Sequence, residues 1–190
     1  QQTELLIKDF INLTGYYLPF EYIDLQSMMG HCISVPYRKE VTVRNAKISL
    51  LNAGHIPGSS QVLIENDGKR LLYTGDFNAS QTQLLPSAEQ NYEDLDGIII
   101  ESTYADQDHP GREEIEKTFI SRALETVENG GTVLVPAFGV GRSQEILCVL
   151  EAHHFDHPIF VDGMALKANR ILADHPESLR DPDLFSRARI

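Results

Sequence analysis

The chain has 190 residues, 42% of them hydrophobic and 23% charged, which is ordinary for a soluble globular protein of one to one and a half domains. Its formal net charge of −12 and pI near 4.9 argue against a protein that grips a phosphate backbone by bulk positive field, though not against metal-dependent chemistry, in which carboxylates are needed and cations supply the positive charge. No apolar run approaches the roughly 20 residues that cross a bilayer, and the N-terminus lacks the charged-then-apolar pattern of a signal peptide.

In chain order, Leu6, Phe10 and Leu13 recur at helical spacing within Thr3–Leu13, and Glu21–Cys32 reads as a second helix. After Pro36 the pattern turns to strands. Val41–Val43 and Ile48–Leu51 flank Asn45 as a hairpin, and Gln61–Glu65 and Arg70–Thr74 are joined through Asn66-Asp67-Gly68-Lys69, a strong hairpin signal. From Gly97 onward strands and helices alternate. The apolar run Gly97–Glu101 ends in a carboxylate, and Glu113–Glu128 is a helix with Ile115, Phe119, Leu124 and Val127 on one face, stopped by Asn129-Gly130-Gly131. Thr132–Pro136 is expected as a strand, Arg142–His153 as a helix, Pro158–Val161 as a strand and Met164–Asp174 as a helix. Such alternation implies parallel sheet with helices packed on it. The glycines after Pro136 mark the expected domain boundary, between 1–135 and 136–190.

Cys32 and Cys148 are too few for a disulfide framework and form no Cys-x-x-Cys pair, so they read as reduced thiols of a cytoplasmic protein. The opening Gln1-Gln2-Thr3, without methionine, suggests a processed or cut product or a segment of something longer.

Three strand-end motifs carry the chemistry. In Gly54-His55-Ile56-Pro57-Gly58-Ser59-Ser60 a histidine leaves a strand into a small-residue loop, where a neutral imidazole can face a metal. In Thr74-Gly75-Asp76-Phe77-Asn78 a carboxylate projects from the sheet edge, with two diverging oxygens able to bridge two cations. In Glu101-Ser102-Thr103-Tyr104 a carboxylate ends a buried strand, the place where α/β sheets keep their sites. Each also has a plain reading: a turn-capping histidine, or a carboxylate capping the next loop through backbone N–H groups. Gly139-Val140-Gly141-Arg142-Ser143, opening a helix, is either a phosphate seat or a tight turn with Arg142 on the surface.

Taken jointly and in this order, these motifs, with Val135–Glu145 and Phe160–Met164, resemble the β-CASP branch of the metallo-β-lactamase superfamily from about residue 40 to about residue 180. The resemblance implies an α/β fold: a partial αββα metallo-β-lactamase sandwich over 1–135, running into a parallel α/β β-CASP segment over 136–190. It implies a site with two Zn²⁺, His55 ligating one and Asp76 bridging both, and Glu101 as the acidic residue that orients a histidine supplied later in the chain. Glu101, Asp76 and His55 are thus the expected catalytic and metal residues, with Arg142, Ser143 and Tyr104 as substrate contacts. The implied activity is zinc-dependent hydrolysis of RNA in 3′-end processing or decay, by a homodimer or a subunit of an RNA-processing complex with no membrane association. Glu101 with Ser-Thr-Tyr looks more like the cleavage-and-polyadenylation nucleases than like ribonuclease J or the DNA-repair branch. The alternatives are a non-catalytic scaffold subunit and a hydrolase of small esters.

The superfamily's His-x-His-x-Asp-His signature is absent upstream of His55, where the only histidine is His31, so this polypeptide alone is expected to lack robust two-metal activity. The partial match Ala152-His153-His154-Phe155-Asp156-His157 lies at a helix end and after the other motifs, the reverse of the family order. Histidines there are favoured by the helix dipole.

Overall fold

In the computed structural model, residues 1–14 and 18–188 are described. The chain separates into two units, Gln1–Pro36 and Tyr37 onward. The first is a helix pair, α1 (Gln2–Thr14) and α2 (Tyr22–His31). The backbone N–H of Glu21 donates to the Asp24 carboxylate (2.8 Å), satisfying one donor at the start of α2. Phe10 stacks on Phe20 with ring centroids 6.5 Å apart, and the Lys8 ammonium lies 5.2 Å from the Tyr22 ring centre. The apolar stripe that recurs at helical spacing, Leu6, Phe10 and Leu13, is exposed. A pair of short helices encloses too little volume to bury a whole face, and Leu25 is the buried hydrophobic residue of this unit among those described.

The second unit is mixed α/β, built on a five-stranded sheet in the order β1 (Glu40–Val43), β2 (Ala46–Asn52), β3 (Ser60–Asn66), β4 (Lys69–Tyr73) and β5 (Gly97–Ile99). The first four strands are antiparallel and β5 joins β4 in parallel. Two-residue turns close the β1–β2 and β3–β4 hairpins. At Asp67-Gly68 both residues have positive φ (49° and 73°), the backbone that lets a tight turn match the twist of its strands. Side chains alternate as a half-buried sheet requires: Leu72 is fully buried, whereas Leu71 and Tyr73 face outward. Asp96, just before β5, accepts from the Lys69 ammonium (2.6 Å) and the Arg70 N–H (2.8 Å), which sets β5 against β4.

Helices α3 (Arg112–Glu128), α4 (Arg142–Ala152), α5 (Met164–Ala173) and α6 (Pro182–Ala188) follow, with a 3₁₀ turn at Pro176–Ser178. Leu84, Leu147, Cys148, Leu172, Leu184 and Phe185 form the core that joins α4, α5 and α6 to the loop after Asn78. Both thiols are unpaired. Burial pushes the Cys148 thiol up to about 12, so it stays protonated and behaves as a small apolar side chain.

Two expectations are corrected here. Thr132–Pro136 and Pro158–Val161 form no strand: neither run joins the sheet, and Leu134 and Phe160 lie exposed. A strand exists through its ladder, and apolarity alone supplies no partner. Together with α3 and α4 these runs border an apolar cavity of about 910 Å³. On α3 the buried stripe is Glu116, Ile120 and Ala123, while Ile115 is exposed. The helix is rotated from the purely apolar pattern because Glu116 has polar partners inside, described below.

Candidate active site

The loop carrying His55 is tied down by backbone and hydroxyl bonds. Ser59 Oγ accepts from the N–H groups of both His55 and Ile56 (3.2 Å each), and the Ser59 N–H returns to the Ile56 carbonyl (2.9 Å). Gly54, before the histidine, has φ +65°, and a Cβ there would fall 2.6 Å from Ala88 N and 2.8 Å from Asn78 O. Only glycine admits both the backbone and this approach. The Asn78 N–H donates to the Ala53 carbonyl (2.8 Å), and the Ala88 N–H to the Asn78 carbonyl (2.7 Å). The His55 loop, the Asp76 turn and the 87–89 segment are therefore laced together by main-chain bonds.

Asp76 leaves β4 through Thr74 and Gly75. The Thr74 N–H still pairs with the Ile99 carbonyl (3.0 Å), so the carboxylate is presented where the β4–β5 pairing stops. His55 Nε2 and Asp76 Oδ2 stand 3.7 Å apart, with both side chains substantially exposed (46% and 72%). Residues 21 positions apart in sequence thus converge at one end of the sheet, beyond β2 and β4. Their separation exceeds a hydrogen bond and is close to the roughly 3.4 Å left between two donors on one tetrahedral zinc with bonds of about 2.1 Å. The pair suits part of a cation site. Among the described residues, however, no group of three or more His, Cys, Asp or Glu side chains is arranged to hold a metal ion.

Glu101 completes the convergence. Its two oxygens accept from the Phe77 N–H (3.2 Å) and the Thr103 N–H (3.1 Å), which is the capping reading realised. The Thr103 side chain, the two N–H groups and the nearby His55 together hold its carboxyl below the ordinary carboxylate range. With the folded pKa depressed, the stability Glu101 contributes is present above the unfolded-state value and is lost as pH falls through the folded one. Each oxygen keeps a further lone pair for another donor.

Tyr104 is exposed and meets His109 edge-on, centroids 4.7 Å apart. Arg142 begins α4 with an exposed side chain, while the Ser143 hydroxyl donates to the Phe138 carbonyl (2.7 Å) and closes the turn before the helix. That turn reaches the His55 loop: a Cβ on Gly141 (φ +84°) would sit 2.8 Å from Ile56 Cγ2. At the other end of α4, His153 Nε2 lies 3.2 Å from Glu116 Oε2, and His154 adopts φ 55° at the helix end.

A buried polar network escaped the sequence reading. Glu116 and Glu145, 6% and 5% exposed, share Arg112, which bonds Glu116 Oε1 (2.8 Å) and also Glu145. Glu145 further accepts from the N–H groups of Gln83 (3.0 Å) and Leu84 (2.7 Å), and Glu116 from the Gln83 side chain (2.9 Å). The one available signal was Gln144-Glu145 at the head of the otherwise apolar Ile146–Leu150 run.

No protein-family model matches the chain. It is 40% identical over 187 residues to RNase aCSPSF2 of Saccharolobus solfataricus, covering 98% of this chain and 38% of that protein. It is 36% identical over 187 residues to transcription termination factor FttA of Methanocaldococcus jannaschii (92% and 30%), and 35% identical over 158 residues to cleavage and polyadenylation specificity factor subunit 3 of Dictyostelium discoideum (81% and 20%). The chain thus spans less than half the length of these curated relatives. They support the β-CASP/metallo-β-lactamase resemblance carried by the motifs.

Proposed function

We propose that this chain is the part of a β-CASP metallo-β-lactamase ribonuclease that carries one flank of a two-zinc site, acting on RNA in 3′-end processing or decay. On this reading 1–135 is the C-terminal part of the metallo-β-lactamase segment and 136–190 opens the β-CASP domain. The observation that carries it is the 3.7 Å approach of His55 Nε2 to Asp76 Oδ2, with Glu101 beside them. The names of the relatives support the choice of RNA as substrate.

His55 and Asp76 would contribute two of the ligands. When bound, the cations supply Lewis-acid polarisation of the phosphodiester and a water acidic enough to ionise near neutral pH. The chain's own residues do the rest. Glu101, kept ionised by the Thr103 and Phe77 donors, orients a histidine supplied elsewhere, so that a proton is held ready for the leaving oxygen. Arg142, at the exposed head of α4 and on the turn that abuts the His55 loop, meets the substrate phosphate together with the helix N-terminus. Ser143 shapes that turn, and Tyr104 lies on the approach beyond Glu101. Assembly is as a homodimer or within an RNA-processing complex.

Zinc analysis together with cleavage of labelled RNA by the full-length protein tests this reading: bound zinc and metal-dependent cleavage are expected. Absence of both from well-folded protein would favour the second reading, a non-catalytic scaffold. Arg142→Ala is expected to lower kcat/KM on RNA by roughly ten- to a hundredfold, the worth of one charge-assisted contact of about 1.5–3 kcal/mol. An unchanged kcat/KM would remove Arg142 from the phosphate site.

A further inference from the structure

We infer that Gln144 is a positioning residue for His55, acting through the Gly139–Gly141 turn. Gln144 is fully buried (0% exposed), and its carboxamide has partners at both ends. Oε1 accepts from the Gly141 N–H (2.7 Å), and Nε2 donates to the Gly139 carbonyl (3.1 Å), to Asn169 Oδ1 (2.9 Å) and more weakly to the Ala165 carbonyl (3.4 Å). One side chain thereby fixes a donor and an acceptor of the same turn and anchors both to α5.

The turn leaves no slack on either side. A Cβ on Gly139 would fall 2.8 Å from Met164 Cβ, and one on Gly141 would fall 2.8 Å from Ile56 Cγ2. The turn is wedged between α5 and Ile56, and Ile56 shares the Ser59 hydroxyl with His55 (3.2 Å to each N–H). A displacement of the turn is therefore passed to the histidine backbone through one van der Waals contact and one shared acceptor. A buried amide satisfied in this way is costly to disturb, which suits a part that holds geometry and does no chemistry itself. The kinetic consequence rests on the ribonuclease reading; the structural consequence does not.

The test uses isotope-labelled full-length protein and three variants. Gln144→Leu keeps the volume and removes every polar bond. Gly141→Ala presses the turn against Ile56 from its other side. Cys148→Ala, on the same helix and equally buried, weakens α4 without touching the turn. The His55 amide and imidazole resonances are expected to move in the first two variants and stay in place in the third. Exchange of the Gly141 N–H in Gln144→Leu should quicken about tenfold, the equivalent of one hydrogen bond. On RNA, Gln144→Leu should lower kcat by about ten- to a hundredfold with KM unchanged, as a small misplacement of a ligand does. An unmoved His55 in a folded Gln144→Leu protein overturns the inference, as does an equal shift in Cys148→Ala. Should Gln144→Leu fail to fold, Gly141→Ala against Cys148→Ala decides by the same resonances. A wild-type protein that cleaves no RNA sinks the ribonuclease reading, and the His55 resonances then judge Gln144 alone.

Discussion

Asp76→Ala in the full-length protein is expected to lose bound zinc and to lower kcat on RNA by more than about 100-fold, with no measurable change in the stability of the apoprotein. The two halves of that expectation have separate grounds. Asp76 is 72% exposed and its nearest ionic neighbour, His55, stands 3.7 Å away, beyond hydrogen-bond range. Surface positions of this kind change stability by about 0.5 kcal/mol or less. The functional loss has a floor, because removing even an outer partner of a metal ligand costs about 10–100-fold, and a direct ligand should exceed that. Metal-induced stabilisation adds a readout independent of activity: zinc should raise the melting temperature of the wild type and not of the variant. Full zinc occupancy in Asp76→Ala would overturn the assignment.

Arg112→Ala should be the most destabilising polar substitution in the second unit, at about 3 kcal/mol near neutral pH. It leaves the carboxylates of Glu116 and Glu145, 6% and 5% exposed, without their shared cation. Breaking a buried pair costs about 3–5 kcal/mol, and the lower end applies because the Arg112 side chain is 39% exposed and water can partly replace it. Burial by itself would raise Glu116, but the bonds from Arg112, Gln83 and His153 outweigh it and hold the carboxyl below the usual range. A depressed folded pKa stabilises above the unfolded value and fades as pH falls. The penalty should therefore shrink in acid, where an orphaned Glu116 takes up a proton. Urea unfolding at pH 7 and pH 5 measures both effects. Arg122→Ala, which removes an exposed pair with Glu125, is the control and should cost about 0.5 kcal/mol or less. A loss for Arg112→Ala no larger than the control's would mean the network is ornamental.

Much of the sheet was legible because its signals are local. Asn66-Asp67-Gly68-Lys69 demands positive φ and obtains it, and the alternation around Leu72 is the pleat itself. The meeting of His55 with Asp76 is expected from the joint family resemblance of the motifs, since each residue taken singly reads equally as a turn cap; the two leave β2 and β4 at the same end of the sheet, with β3 between them. What holds that meeting in place could not be anticipated. Nothing in the sequence marks the Ser59 hydroxyl as the acceptor of two N–H groups, or Gln144 and Glu145 as buried at a helix start. Their partners, Asn169 and Leu84, are distant in sequence and leave no periodic trace. Thr132–Pro136 and Pro158–Val161 failed for the opposite reason: their composition suits a strand, but a strand is a relation between two segments.

The switch from antiparallel to parallel pairing between β4 and β5 separates early events from late ones as the chain folds. The β1–β2 and β3–β4 hairpins close over two-residue turns, and such closures take microseconds. Bringing β5 beside β4 requires the whole stretch from Thr74 to Asp96 to be drawn in first, a loop-closure penalty the hairpins escape. Asp76 lies in that stretch and Glu101 just past it, so the reactive corner is assembled last and is the first to come apart. In pulse-labelling during refolding, the Ile64 amide of the β3–β4 ladder should gain protection ahead of the Thr74 amide, which bonds Ile99 (3.0 Å). Simultaneous protection of the two would refute this order.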